Sequence, residues 1–226
     1  MKYRTHYLIG VALLLGAAPR FAGSRAEPAP QSKQLFNGKD LTGWKTHPNN
    51  PGKWRVENGM IVSHGRQVSH LFTVRDDYQD FQFRIEAKIS DKGNSGQLFR
   101  AKFTSDYPPG YEAQINSNFP TDPVRTGSLY PAFDPTLTAE KQAKIIVTAE
   151  LVKPDEWFTQ EVIARGNHIV IKLNGKTTVD FVDEKNTFTK GSLALQQHGA
   201  WGDNLETVLH VRKIEIKELK STKANE

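Results

Sequence analysis

The 226-residue chain contains no cysteine. Disulfide staples, thiol nucleophiles and thiolate metal sites are therefore excluded, and roughly 190 residues can bury an adequate core without them. Long apolar runs are scarce as well. Leu8 to Ala18 spans eleven residues, well short of the ~20 that a membrane-spanning helix needs. Lys2 and Arg4 precede that run and Ser24-Arg25-Ala26 follows it, which reads as a secretory signal peptide over residues 1–26, cleaved near Ala26. No cysteine stands after the run to carry a lipid anchor. The expectation is an exported protein, periplasmic or secreted, with no membrane insertion after cleavage.

An excess of charge is also missing. Four of the 30 basic residues (Lys2, Arg4, Arg20 and Arg25) fall within residues 1–26, so the remainder carries 26 basic against 25 acidic groups, a net of +1. The basic residues are scattered and form no stripe, which argues against a nucleic-acid partner. The motif inventory is equally bare: no G-x-S-x-G elbow, no HExxH pair, no P-loop and no EF-hand loop. Helical periodicity is nearly absent, with Leu137 to Lys144 the one short candidate.

What the chain has instead is two-fold alternation. "DFQFRIEAKIS" sets Phe81, Phe83, Ile85, Ala87 and Ile89 on one face and Gln82, Arg84, Glu86 and Lys88 on the other. Asn58-Gly59 and Asn174-Gly175 supply the left-handed residues of tight hairpin turns, and a further turn falls at Gly166-Asn167. Many short antiparallel strands at near-regular spacing predict an all-β sandwich or barrel. The domain layout is a signal peptide over 1–26, a Pro/Ala/Ser linker over 27–33, the sandwich over 34–219 and a polar tail over 220–226. The excursion from Phe119 to Lys144, rich in proline, is too long to be filler and reads as functional.

Candidate site residues come from polar groups on alternating strands. In "GYEAQIN", Tyr111, Ala113 and Ile115 form a core face, while Glu112, Gln114 and Asn116 face the other way. "GNSGQLFRA" puts Gly96, Leu98 and Arg100 on one face, the glycines allowing close approach of a ligand or a neighbour. "LQQHG" pairs Gln196 with His198, opposite Leu193, Leu195 and Gln197. Tyr130 lies in the excursion and Trp157 at a strand start. Each has an ordinary alternative: Glu112 a solvated strand residue, Arg100 an ion-pairing residue, His198 a structural hydrogen-bond partner, Trp157 a core residue. His47, His64, His70, His168 and His210 read as loop or strand-surface residues. Glycosidases need two carboxylates about the scissile bond, and Gln114 cannot serve as the second one beside Glu112. Glu112 faces a site only if Arg100 and His198 share its face.

The blocks "LFNGKDLTGW", "DFQFRIEAKI", "GNSGQLFR", "GYEAQI", "TGSLY", "EWFTQEVIARGNHIVIKLNG", "SLALQQHG" and "VRKIEIKEL" resemble, in order and from Leu35 to Leu219, the 3-keto-disaccharide hydrolase domain family. Phe158, where Asn is common, and Pro131, where Gly is common, depart from that pattern at the expected rim of the site. The resemblance implies a concanavalin A-like jelly-roll β-sandwich of two antiparallel sheets, with an oligosaccharide or keto-glycoside ligand on the concave face of the larger sheet. It implies cleavage of 3-keto-glycosides by C2 proton abstraction, elimination of the C1 aglycone and hydration. That chemistry asks for one base and an oxyanion stabiliser rather than two opposed carboxylates. Glu112 or His198 is then the base and Arg100 holds the enolate or substrate hydroxyls. Gln114 and Gln196 bind hydroxyls, and Tyr130 or Trp157 stacks on the ring. No spacing motif demands a cofactor, and a divalent cation held by His198, Glu112 and Gln114 is an open possibility. The alternatives are a non-catalytic carbohydrate-binding module of the same fold and a structural or interaction domain of the cell envelope.

Overall fold

A strand with one wet face must alternate, and Phe81–Ile89 does: its odd-numbered residues are buried and Arg84 is exposed. This strand lies near the middle of a sandwich in a computed structural model that describes residue 1, residues 31–200 and residues 206–220. The strands, in chain order, are β1 Lys33–Gln34, β2 Trp44–Thr46, β3 Trp54–Glu57, β4 Met60–His64, β5 Ser69–Thr73, β6 Phe81–Ile89 and β7 Asn94–Ala101. They continue with β8 Tyr111–Asn116, β9 Phe158–Arg165, β10 His168–Leu173, β11 Lys176–Val182, β12 Ser192–Gln197 and β13 Val208–Glu218. Among the described residues a short helix, α1, covers Ala139–Ala143. The expected signal peptide lies outside the described residues, as do most of the linker and the tail beyond residue 220. Lys33, placed in the linker by sequence, already pairs with Ile216. No helix among the described residues is long and apolar enough to cross a membrane.

Two antiparallel sheets result. The larger has eight strands, in the order β11-β10-β9-β6-β13-β4-β3, with β1 also against β13; the smaller runs β2-β5-β12-β7-β8. The hairpin turns form where Asn-Gly pairs stand, with φ of 49° and 74° at Asn58 and Gly59 and 50° and 81° at Asn174 and Gly175. Residues 81, 83 and 85 of β6 meet Phe99, Tyr111, Ile115, Leu193 and Leu195 of the smaller sheet in one core. A glutamine bridge crosses that core. Gln160 of β9 donates to the Gln97 side chain and to the Ala113 carbonyl, each at 3.2 Å, while Gln97 donates to the Phe83 carbonyl at 3.0 Å. These bonds fix the height of β8 above the larger sheet.

β8 is the last strand of its sheet, and its open edge is covered by the excursion. Tyr130 donates its backbone N–H to the Glu112 carbonyl (2.8 Å), Gln114 donates to Ser128 (2.9 Å) and Thr126 donates to Asn116 (3.1 Å). An exposed edge invites pairing with another chain; here the pairing partner is the chain's own loop. Tyr130 is thereby delivered beside Glu112. Pro131, whose ring suits the first residue of a helix, opens a 3₁₀ turn over Pro131–Phe133.

Alternation fails at one place in β7. Between the pairs Ala194–Leu98 and Ser192–Ala101, β7 contains one residue more than β12, and Arg100 takes up the bulge with a φ of 50°. A bulge of one residue reverses the faces beyond it. Ala101 therefore joins Leu98 in an apolar cluster on the outer face, and Arg100 turns inward. Its guanidinium, 1% exposed, donates to the carbonyls of Gln79 (2.9 and 2.7 Å), Gly166 (2.7 Å) and Phe188 (3.0 Å) and lies 3.4 Å from Asp80. Arg100 fastens three chain segments together and does not share the face of Glu112. Arg100→Met would strand those carbonyls and leave Asp80 without its cationic partner, although the Gly166 N–H still bonds it. The expected loss is about 3 kcal/mol or more, read as a lower midpoint in chemical denaturation.

Candidate functional site

The pairing of β8 with β7 sets Glu112 opposite Leu98, Gln114 opposite Gly96 and Asn116 opposite Asn94. Directly opposed residues share a face, so all six look outward from the five-stranded sheet. Above them lies a cavity of about 480 Å³. Its polar wall comes from Asn94, Glu112, Gln114, Asp122, Gln196 and His198, and its more apolar rim from Val68, Tyr107, Tyr130 and Ala132. The resemblance points to the larger sheet; this cavity sits on the smaller one, whose outer face is walled by the excursion and by the loop between β7 and β8.

Glu112 is the deepest ionisable group of this cavity. It is 4% exposed, and burial pushes its carboxyl up to about 7; nearby Asp122 pushes the same way, while a hydrogen bond from the Tyr107 hydroxyl to Oε2 opposes them. Its other oxygen rests against Gly96, where any Cβ would overlap Oε1. A glycine at this position is what lets the carboxyl lie flat over β7. Burial also raises the Tyr107 and Tyr130 phenols, with Glu112 and Asp122 adding to both, so they stay protonated donors.

Asp122 comes from the excursion and is held by three donors. The backbone N–H of Val124 bonds Oδ1 (2.8 Å), and the side-chain amides of Gln114 (3.0 Å) and Asn94 (3.4 Å) bond Oδ2. Asn116 and Arg125 shape the loop that presents it: Asn116 donates to the Asp122 and Val124 carbonyls, and Arg125 donates to the carbonyls of Phe119 and Asp122. His198 stands at the end of β12, its Nδ1 2.7 Å from the Gly199 carbonyl and its ring edge-on to Phe119 at 5.2 Å.

Of the residues singled out from sequence, the fold brings Glu112, Gln114, Tyr130, Gln196 and His198 together around the cavity. Arg100 it does not, for the reason given. Nor does it bring Trp157, which is half-buried on the outer face of the eight-stranded sheet, 4.2 Å from the Arg212 guanidinium and 5.6 Å from the Lys88 ammonium. Phe158 next to it turns into the core rather than toward the rim. Sequence reasoning missed Tyr107, Asp122 and Asn94. It also placed His70 on the surface, whereas His70 is 2% exposed opposite Gln196 and beside the Phe72 and Tyr107 rings. Burial, with His198 adding, pulls its imidazole down to about 4, so it is neutral at pH 7. The signal for His70 was Phe72 two positions on, which marks that face as apolar.

Among the described residues no three His, Asp or Glu side chains converge as a divalent cation would require. In the set His198, Glu112 and Gln114, Glu112 accepts from Tyr107 through Oε2 and Gln114 donates to Asp122 through its amide nitrogen, which leaves the Gln114 carbonyl oxygen outside both bonds. Gly96→Ala should displace the Glu112 carboxyl and break its bond to Tyr107. The expected cost is about 1–3 kcal/mol, measured by denaturation, together with loss of whatever ligand affinity the cavity has.

The chain matches the model of the 3-keto-alpha-glucoside-1,2-lyase-like domain over residues 31–217. No curated protein matches it. Among solved structures it is similar to a protein from Parabacteroides distasonis provisionally described as a glycosyl hydrolase, at 26% identity and a TM-score of 0.59, covering 84% of this chain and 94% of that one. A second protein of that description from the same organism shows 22% identity and a TM-score of 0.57, covering 84% and 100%. The carbohydrate-binding module CBM66 from Bacillus subtilis shares the fold at 16% identity and a TM-score of 0.54, covering 78% and 96%. With the jelly-roll sandwich and the match over nearly all described residues, this chain belongs to the 3-keto-disaccharide hydrolase family, the 3-keto-alpha-glucoside-1,2-lyase-like domains.

Proposed function

We propose that the protein cleaves 3-keto-glycosides in the cavity on the five-stranded sheet, by elimination followed by hydration. The observation that carries this reading is Glu112: one buried carboxyl, balanced near neutrality, facing a cavity that His198 also lines. A ketone at C3 acidifies the hydrogen on C2. Glu112 in its ionised form takes that proton, and the C2–H electrons form the enolate. The C1–O bond then breaks, and the aglycone leaves as its oxyanion, which takes a proton from water. Water adds across the resulting enone to release the keto sugar. A base works best when its pKa lies near the working pH, and burial brings Glu112 there.

The enolate oxygen needs donors. With Arg100 engaged elsewhere, the Tyr130 hydroxyl and the Gln196 amide take that task. Glu112 is neutral once it holds the C2 proton, so no second negative charge faces the enolate from that position. Tyr107 orients the carboxyl through its hydrogen bond. The run of residues 1–26 supports action outside the cytoplasm, which N-terminal sequencing of the mature protein would test.

The fold shared with a carbohydrate-binding module favours a second reading, sugar binding without chemistry. The two separate cleanly. Release of a chromogenic aglycone from a 3-keto-glucoside by wild type is expected to rise as pH passes through about 7, as Glu112 ionises. Glu112→Gln should lower turnover by a factor on the order of 10² or more while the ligand still binds. Binding without turnover in wild type, at every pH, would leave the binding module as the function.

A further inference from the structure

All the formal charges around the cavity have one sign. Glu112 and Asp122 stand on its wall and Asp106 at its rim, and no Lys or Arg lines it among the described residues. Arg125, on the loop that presents Asp122, donates to the carbonyls of Phe119 and Asp122.

The uncharged groups lean the same way. Asn94 and Gln114 each spend an amide hydrogen on Asp122, and Tyr107 spends its hydroxyl hydrogen on Glu112. What these side chains have left to offer is mostly acceptor oxygen. An acceptor-rich, negatively charged wall suits a ligand that brings hydroxyl donors. An anionic substituent would meet like charge and find no cation to replace its water, a penalty that grows in a partly desolvated site.

Resting on the reading that this cavity binds a sugar, we propose that it selects by charge: it takes an uncharged glycosyl ring and rejects one bearing a carboxylate, sulfate or phosphate, with Asp106 enforcing the rejection at the rim. Asp106 suits that role because it is exposed and makes no ion pair among the described residues. It is also adjacent in sequence to Tyr107, which reaches Glu112.

The test compares a 3-keto-glucoside with the 3-keto-glucuronide of the same chromogenic aglycone, in wild type and Asp106→Asn, at low and high salt. The neutral substrate should exceed the anionic one in kcat/KM by about tenfold or more at low salt. Asp106→Asn should narrow that gap several-fold, and so should salt, which screens the exposed charge. Equal use of both substrates by wild type, or a gap that neither Asp106→Asn nor salt alters, overturns the charge filter while leaving the catalytic reading intact. If neither compound is turned over, the same comparison is made by calorimetric binding. Failure of both to bind overturns the sugar-site reading and the charge filter together.

Discussion

Taking a carboxyl out of water costs several kcal/mol unless partners replace the solvent, and the site is organised around meeting that cost at Glu112. The sheet supplies the position, because strand alternation aims Glu112 away from the core and Gly96 on the neighbouring strand leaves room for its oxygen. The loop between β7 and β8 supplies the Tyr107 hydroxyl. The excursion supplies Asp122, whose charge works against ionisation of Glu112. Remove the glycine and the carboxyl has nowhere to lie; remove the tyrosine and it loses its hydrogen-bond donor. The outcome is a group held at the balance point between acid and base, which is where proton transfer is most useful.

The remainder of the molecule serves to hold those three segments in place. Gln160 and Gln97 tie β8 to the larger sheet through the core. The backbone of residues 126–130 pairs with the edge of β8 and so places Tyr130 and the Asp122 loop against it. Arg100 closes the far end by drawing the carbonyls of Gln79, Gly166 and Phe188 to one guanidinium. Its contribution is to rigidity, and it reaches the reacting centre only through the scaffold. Catalytic geometry tolerates little error, which is reason enough for so much polar cross-bracing in a small sandwich.

The face assignment of β8 could be read from the sequence, since period-two alternation leaves no other option for Tyr111, Ala113 and Ile115 against Glu112, Gln114 and Asn116. The same logic paired Gln196 with His198, and the Asn-Gly turns marked their hairpins. It failed at Arg100 because a single-residue bulge leaves no mark in the alternation pattern, and everything past it changes face. It failed for Tyr107 and Asp122 because loop residues have no period, and their proximity to Glu112 arises only when two separate loops fold over one sheet. Trp157 shows the converse case: a large aromatic at a strand start can serve as a platform for Arg212 and Lys88 as readily as for a sugar. The choice of sheet was also hidden, since strand count does not say which outer face the loops will wall.

The most direct measurement is a carboxyl-¹³C NMR titration of the glutamates in the folded protein, with the Glu112 resonance assigned by its disappearance in Glu112→Gln. A midpoint of about 7 is expected for that resonance, well above the ordinary 4.5. A midpoint at 4.5 or below would mean that Glu112 is a solvated carboxylate, and the cavity would lose its claim to be a site of proton transfer.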